Sequence, residues 1–214
     1  KKFSKDYQSG ALSFEIISNN KKIICNSGYY QDYNHQLNRI SKSTATHSTM
    51  VLDNSSVCNF TKTKNGSNIV KKGFKTFNKN IINENNFWSI KGSHDGYLSR
   101  YGVIHERNVE FYPEENKIIG KDKFIKKSNF KPSNFEIRFH LMPNTKVTKT
   151  QDNKSVLIEL ENSGWRFFSN LGHIGIETGL YFGNKNTYKE NKNIYISGIT
   201  QKEEQTVEWE LKKI

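Results

Sequence analysis

Phe135-Glu136-Ile137-Arg138-Phe139-His140-Leu141 alternates apolar side chains with charged and polar ones, and Pro143 stops the run. A period of two puts the rings and aliphatics on one face of an extended chain, toward a core, with Glu136, Arg138 and His140 on the other. Downstream, Val156 to Leu160, Trp165 to Phe168, Ile174 to Tyr181, Ile194 to Ile199 and Val207 to Leu211 follow at short intervals, with Gly or Asn between them. Upstream, Leu12, Phe14 and Ile16 alternate with Ser13 and Glu15, and Asn19-Asn20 turns the chain into Lys22-Ile23-Ile24-Cys25, as in a hairpin. This spacing predicts an all-β protein, an antiparallel two-sheet β-sandwich. Two stretches break the alternation. Tyr29 to Arg39 is polar and aromatic, and Lys62 to Asn86 is a Lys/Asn/Gly tract; both are expected as long loops or decorated hairpins. No helix of ten or more residues is expected.

The chain has 214 residues, 34% of them hydrophobic and 13% aromatic, so a sizeable core is built from rings rather than long aliphatic runs. Its longest apolar runs, such as Ile23-Ile24-Cys25, fall far short of the roughly 20 residues of a spanning helix, so no membrane span is expected. The start at Lys1-Lys2-Phe3, without Met or an apolar leader, suggests a piece of a longer polypeptide. Lys plus Arg is 33 against 21 acidic residues, a net charge of +12 that favours polyanions. Only Arg39, Arg100, Arg107, Arg138 and Arg166 are arginines, and the lysines are scattered among asparagines. Without an Arg-rich face or a recognised binding motif, no nucleic-acid partner is expected. Cys25 and Cys58 either pair or stay free. Asn-x-Ser/Thr triplets at Asn54, Asn59, Asn65 and Asn153 carry no weight in so Asn-rich a chain.

Seven short motifs follow one another in order: Leu12 to Glu15 (Leu-Ser-Phe-Glu), the turn Asn26 to Gly28, the hydroxyl-rich Ser43 to Thr49 around His47, Ser93 to Tyr97 (Ser-His-Asp-Gly-Tyr), Gly102 to Arg107 (Gly-x-x-His-x-Arg), Arg138 to Leu141, and Gly164 to Phe167. In order and wording these resemble the C-terminal β domain of the heparinase II/III-like polysaccharide lyases. The resemblance covers almost the whole chain. It implies that residues 1–214 are one β-sandwich domain, without the helical α/α toroid that would precede it in the same polypeptide. It also implies a substrate, a uronic-acid-containing acidic polysaccharide cleaved by β-elimination, and a periplasmic or envelope location. Elimination needs the uronate charge neutralised, a base for the proton beside the carboxylate, and an acid for the leaving oxygen. In the family the toroid supplies much of this, so the isolated domain is expected to be inactive.

Carried over residue by residue, His47 is the expected catalytic imidazole of this domain, with the alternative that it merely bonds the nearby turn. Arg39 and His35, in the aromatic stretch, are expected to bind substrate through carboxylate pairing and ring stacking. His105 is a further substrate-binding candidate. It shares a strand face with Arg107, opposite Ile104. His94 and Asp95 are read as turn residues and His140 as part of a solvated or ion-paired face. Some members bind a divalent metal through a His-x-His pair and an Asp. This chain has Asp6-Tyr7-Gln8 and Asn26 at those places, so no metal or other cofactor is expected. A second reading stays open: a non-catalytic domain that binds or scaffolds acidic glycan.

Overall fold

The computed structural model describes residues 4–64, 66–184, 186–201 and 203–214. The Lys1-Lys2-Phe3 start and Asn65 of one triplet lie outside them. A small hairpin, β1 (Ile16–Ser18) with β2 (Lys21–Ile24), opens the fold, and Asn19 and Asn20 take positive φ of 48° and 59° at its tip. Two consecutive left-handed residues make the primed turn whose twist suits a hairpin, and Asn tolerates that region best after Gly. The expected strand start at Leu12 is instead a turn, with Leu12 at φ 55°. The Leu12–Phe14 segment leaves the pleat in order to lie across the sheet described below.

Strand β3 (Met50–Leu52) is followed by the hairpin β4 (Asn59–Lys62) and β5 (Asn68–Lys72). A meander of four long strands comes next: β6 (Thr76–Glu84), β7 (Phe87–His94), β8 (Val103–Tyr112) and β9 (Lys117–Lys126). The chain then crosses to β10 (Asn134–His140). It returns through β11 (Lys146–Lys149), β12 (Ser155–Leu160) and β13 (Ser163–Ser169), forms the hairpin β14 (Ile174–Tyr181) and β15 (Lys189–Ile199), and ends in β16 (Gln205–Lys213). One antiparallel sheet has the order β11-β12-β13-β16-β9-β8-β7-β6, and a smaller one β14-β15-β10-β3. The two pack face to face through rings. Phe139 of β10 lies 4.7 Å from Phe167 of β13 and 4.9 Å from Trp209 of β16, and Phe124 lies 4.8 Å from Phe135. The expected two-sheet sandwich is therefore what forms, and Phe135, Ile137, Phe139 and Leu141 are its buried face.

The two stretches that break the alternation hold short elements. Tyr29 to Arg39 runs into helix α1 (Gln36–Ser41), and Lys62 to Asn86 contains β5 and the edge strand β6. A second short helix, α2 (Leu98–Tyr101), precedes β8. Cys25 and Cys58 are buried and unpaired, and burial pushes the Cys25 thiol up to about 12. No helix among the described residues is long and apolar enough to cross a membrane.

Candidate functional site

His47 ends the 3-10 turn Thr44–Thr46 and is 4% exposed. Its Nδ1 is 2.8 Å from the Ser43 carbonyl and its Nε2 is 3.0 Å from the Gln8 carboxamide. Burial lowers its pKa, and the Ser43 carbonyl opposes that by favouring the charged ring. A Cβ at Gly10 would come within 2.5 Å of the His47 ring, so only glycine lets the imidazole seat there. Ser48, next in the chain, is a junction. Its N–H donates to the Asn26 side chain at 2.9 Å, its hydroxyl donates to the Cys25 carbonyl at 2.6 Å, and the same hydroxyl accepts the His140 N–H at 2.9 Å.

The other expected site residues separate into a surface set and an interior set. His35 caps α1: its Nδ1 accepts the Leu37 N–H at 3.1 Å, and its ring lies 4.9 Å from that of Tyr30. Arg39, in the last turn of α1, lines an open groove of about 500 Å³ with Ser43, Asn54, Ser55, Phe60 and Arg100. Guanidinium–carboxylate pairs among the described residues involve Arg107, Arg138 and Arg166, which leaves Arg39 and Arg100 free to meet an outside anion. Asp53 also lines the groove, and its carboxylate accepts the Asn134 N–H at 2.9 Å. Ser43 joins the two regions, because it lines the groove while its carbonyl holds His47.

His105 is in the interior. The alternation correctly puts it on one face with Arg107, but that face points inward, and His105 is 0% exposed. In this arrangement it reaches no polymer at the surface. The Gly96 N–H donates to His94 Nδ1 at 3.1 Å, which forces the His94 proton onto Nε2. That proton is donated to His105 Nδ1 at 3.1 Å, so His105 in turn carries its own on Nε2 and donates it to Asp122 at 2.6 Å. Asp122 also accepts Arg107 Nε at 2.7 Å, Arg107 Nη2 at 3.1 Å and Trp209 Nε1 at 2.9 Å. Burial alone would raise its carboxyl, but the Arg107 guanidinium and the His105 N–H outweigh it and hold the group well below the usual carboxylate range. The remaining Arg107 nitrogen donates to the carbonyls of Leu12 at 3.1 Å and Ser48 at 2.8 Å. The two most distinctive motifs, around His94 and His105, thus build a buried tether between the large sheet and the loop that carries His47.

His140 is also buried rather than on a solvated face. Its Nδ1 meets the Ser27 hydroxyl and its Nε2 the Ala45 carbonyl, both at 3.0 Å, and burial, with Arg138 nearby, pulls its pKa down to about 3. Arg138 and Glu136 do ion-pair as expected, with Glu177 as a third member. Asp95 acts as a turn residue, accepting the Lys75 N–H at 2.7 Å.

Among the described residues there is no group of three or more His, Cys, Asp and Glu side chains suited to a metal. Gln8, Arg100, Asp122 and Trp209 were not singled out by the sequence. Asp122 is legible only through register, since it lies opposite Arg107 across β8 and β9.

The model of the family described as "Heparinase II/III-like, C-terminal" matches residues 1–210. The chain belongs to the heparinase II/III-like family. Among solved structures this heparinase II/III-like domain is similar to the heparan sulfate lyase HepC from Pedobacter heparinus, with a TM-score of 0.78 at 14% identity over 96% of this chain and 30% of that one. It is similar also to the heparinase III-BT4657 gene product, with a TM-score of 0.74 at 16% identity over 97% of this chain and 30% of that one. At such identities the likeness is one of fold. The domain thus spans about a third of the length of these relatives. No curated protein matches it.

Proposed function

We propose that this is the C-terminal β domain of a polysaccharide lyase that cleaves uronic-acid-containing acidic polysaccharide by β-elimination, and that it forms one wall of the cleft. The observation that carries the reading is the open groove with Arg39 and Arg100, two guanidiniums without a carboxylate partner among the described residues, beside the loop that holds His47. A guanidinium is a planar fork that pairs with a carboxylate through two hydrogen bonds, which suits a uronate. Hydroxyls and amides of Ser43, Asn54, Ser55 and Asn59 offer partners for sugar hydroxyls, and Phe60 an apolar face. In the elimination a base takes the proton beside the carboxylate, that electron pair becomes the new double bond, and the glycosidic oxygen leaves with a proton from an acid. Neutralising the carboxylate is the share of this work that Arg39 and Arg100 fit. An upstream helical toroid in the same polypeptide and a periplasmic or envelope location belong to the same proposal and rest on family membership.

The second reading, an acidic-glycan-binding or scaffold domain without catalysis, is favoured by the saturation of both His47 ring nitrogens. One experiment separates the two. The full-length protein is assayed on a glycosaminoglycan for the ultraviolet absorbance of an unsaturated uronate, with Arg39→Ala/Arg100→Ala and His47→Ala variants. The lyase reading expects about tenfold weaker substrate use for each lost charged contact, on the order of 1.4 kcal/mol. It also expects a loss of turnover of about 10²- to 10⁴-fold for His47→Ala. Binding of the polymer without the chromophore would establish the second reading, and full activity in the double arginine variant would remove the groove from either.

A further inference from the structure

His47 is set like an imidazole that ligates or accepts a proton. Donating Nδ1–H to the Ser43 carbonyl, 2.8 Å away, leaves the neutral ring with its lone pair on Nε2. Facing that lone pair is the Gln8 carboxamide, whose oxygen is placed 3.0 Å from Nε2; two acceptors on the two ring nitrogens would suit only a charged ring, which burial disfavours, so the amide is read turned end for end. A carboxamide has a donor end and an acceptor end of the same shape, and against a neutral ring it presents its NH₂. The contact is held from both sides. The ring is seated against Gly10, where a Cβ would come within 2.5 Å. The backbone beside Gln8 is fixed as well: the Ser9 N–H donates to the Lys42 carbonyl at 3.0 Å, and the Ser9 carbonyl accepts the Thr44 hydroxyl at 2.9 Å.

Family membership suggests a metal near His47, and the donor set here does not fit one. Gln8 and Asn26, at the other places that would supply ligands, are uncharged amides, and the Asn26 side chain is engaged with the Ser48 N–H at 2.9 Å. Zinc sites draw on at least three protein ligands, thiolate, imidazole or carboxylate, and one imidazole with an occupied Nε2 does not make such a site. We propose that Gln8 takes the place of a metal ion at His47: its amide closes Nε2, orients the ring and ties the N-terminal segment to the Ser43–Ser48 loop. Gln8 is in this sense a positioning residue, and the inference stands apart from the glycan reading, because its test reads metal uptake rather than turnover.

The test titrates zinc alone into the protein in competition with a chromogenic chelator, comparing wild type, His47→Ala and the double variant Gln8→His/Asn26→Asp. Wild type is expected to compete no better than His47→Ala. The double variant, which adds an imidazole and a carboxylate to the His47 ring, is expected to bind one zinc at least about 100-fold more tightly than wild type. Long-range ¹H–¹⁵N correlation spectra of wild type are expected to show His47 neutral and protonated on Nδ1. The proposal is overturned if wild type takes up one equivalent of zinc and loses it on His47→Ala, if His47 proves to carry its proton on Nε2, or if the double variant folds and gains no zinc. Should the double variant fail to fold by circular dichroism, the wild-type titration and the tautomer still decide.

Discussion

Asp122 shows how one side chain can hold several segments. It is fully buried and accepts from His105, Arg107 and Trp209, while Arg107 passes the restraint on to Leu12 and Ser48. Replacing it by Asn would leave the Arg107 charge uncompensated in the interior. Asp122→Asn is therefore expected to cost about 3–5 kcal/mol, the range for breaking a buried pair, as measured by denaturant unfolding. A loss below about 1 kcal/mol would mean that the pair is weaker than its geometry suggests. The words Ser-His-Asp-Gly-Tyr and Gly-x-x-His-x-Arg are plain in the sequence, but their meaning is not. A fully buried His with both nitrogens bonded and a His lining a cleft are spelled alike, and the deciding partner, Asp122, is on the next strand.

Among the elements, alternation was readable wherever a strand has one face in the core and one in water. Strands β10 and β16 bury every second side chain, and their limits match the expected runs to within two residues. Strand β6 is nearly all exposed, with only Phe77 and Ile82 half-buried, so no period marks it and register with β7 alone makes it a strand. Helix α1 lacks an apolar stripe for a different reason: it buries Asn38 and Ser41, and the Asn38 amide donates to the Tyr30 carbonyl at 2.7 Å. Such a turn is built from caps and polar contacts, which a hydrophobic pattern does not record. Strand β9 offers a direct test of packing. The Trp209 indole lies across Gly120, where a Cβ would sit 2.0 Å from the ring. Gly120→Ala should therefore displace the indole that stacks on Phe14 and bonds Asp122, costing about 1–3 kcal/mol as for other overpacked cores. An unchanged melting temperature would contradict this.

For the molecule as a whole, the buried imidazoles make stability depend on pH in a definite direction. Burial lowers the pKa of His94, His105, His47 and His140, and that of His140 falls to about 3. Between that value and the ordinary pKa of about 6.5, the unfolded chain binds protons that the folded one refuses. Stability is then complete above about pH 6.5 and falls as pH drops toward 3, by up to about 1.4 kcal/mol per unit for each buried imidazole in its window. Asp122, whose folded pKa is depressed, adds to the loss below about pH 4, its unfolded value. Unfolding in denaturant at pH 7.5, 6 and 5 should show a steady decline, and a profile flat across that range would refute it. The net charge of +12 gives a second whole-molecule expectation. Binding to an acidic polymer should weaken as salt shortens the screening length from about 10 Å at 0.1 M to about 3 Å at 1 M, and salt-independent affinity would point away from the arginine groove.

The stack of Phe14 on Trp209, with ring centroids 5.5 Å apart, gives the protein an optical reporter of its own. Trp209 and Trp165 are buried while Trp88 is half exposed, so native emission should contain a blue component from the first two and a red one from the third. Because Phe14 belongs to the segment that covers the sheet rather than to the sheet itself, lifting that segment would wet one side of the Trp209 indole while the strands remain paired. A red shift and easier quenching by iodide, at unchanged far-ultraviolet dichroism, would then signal that the cover over the Asp122 tether has come loose.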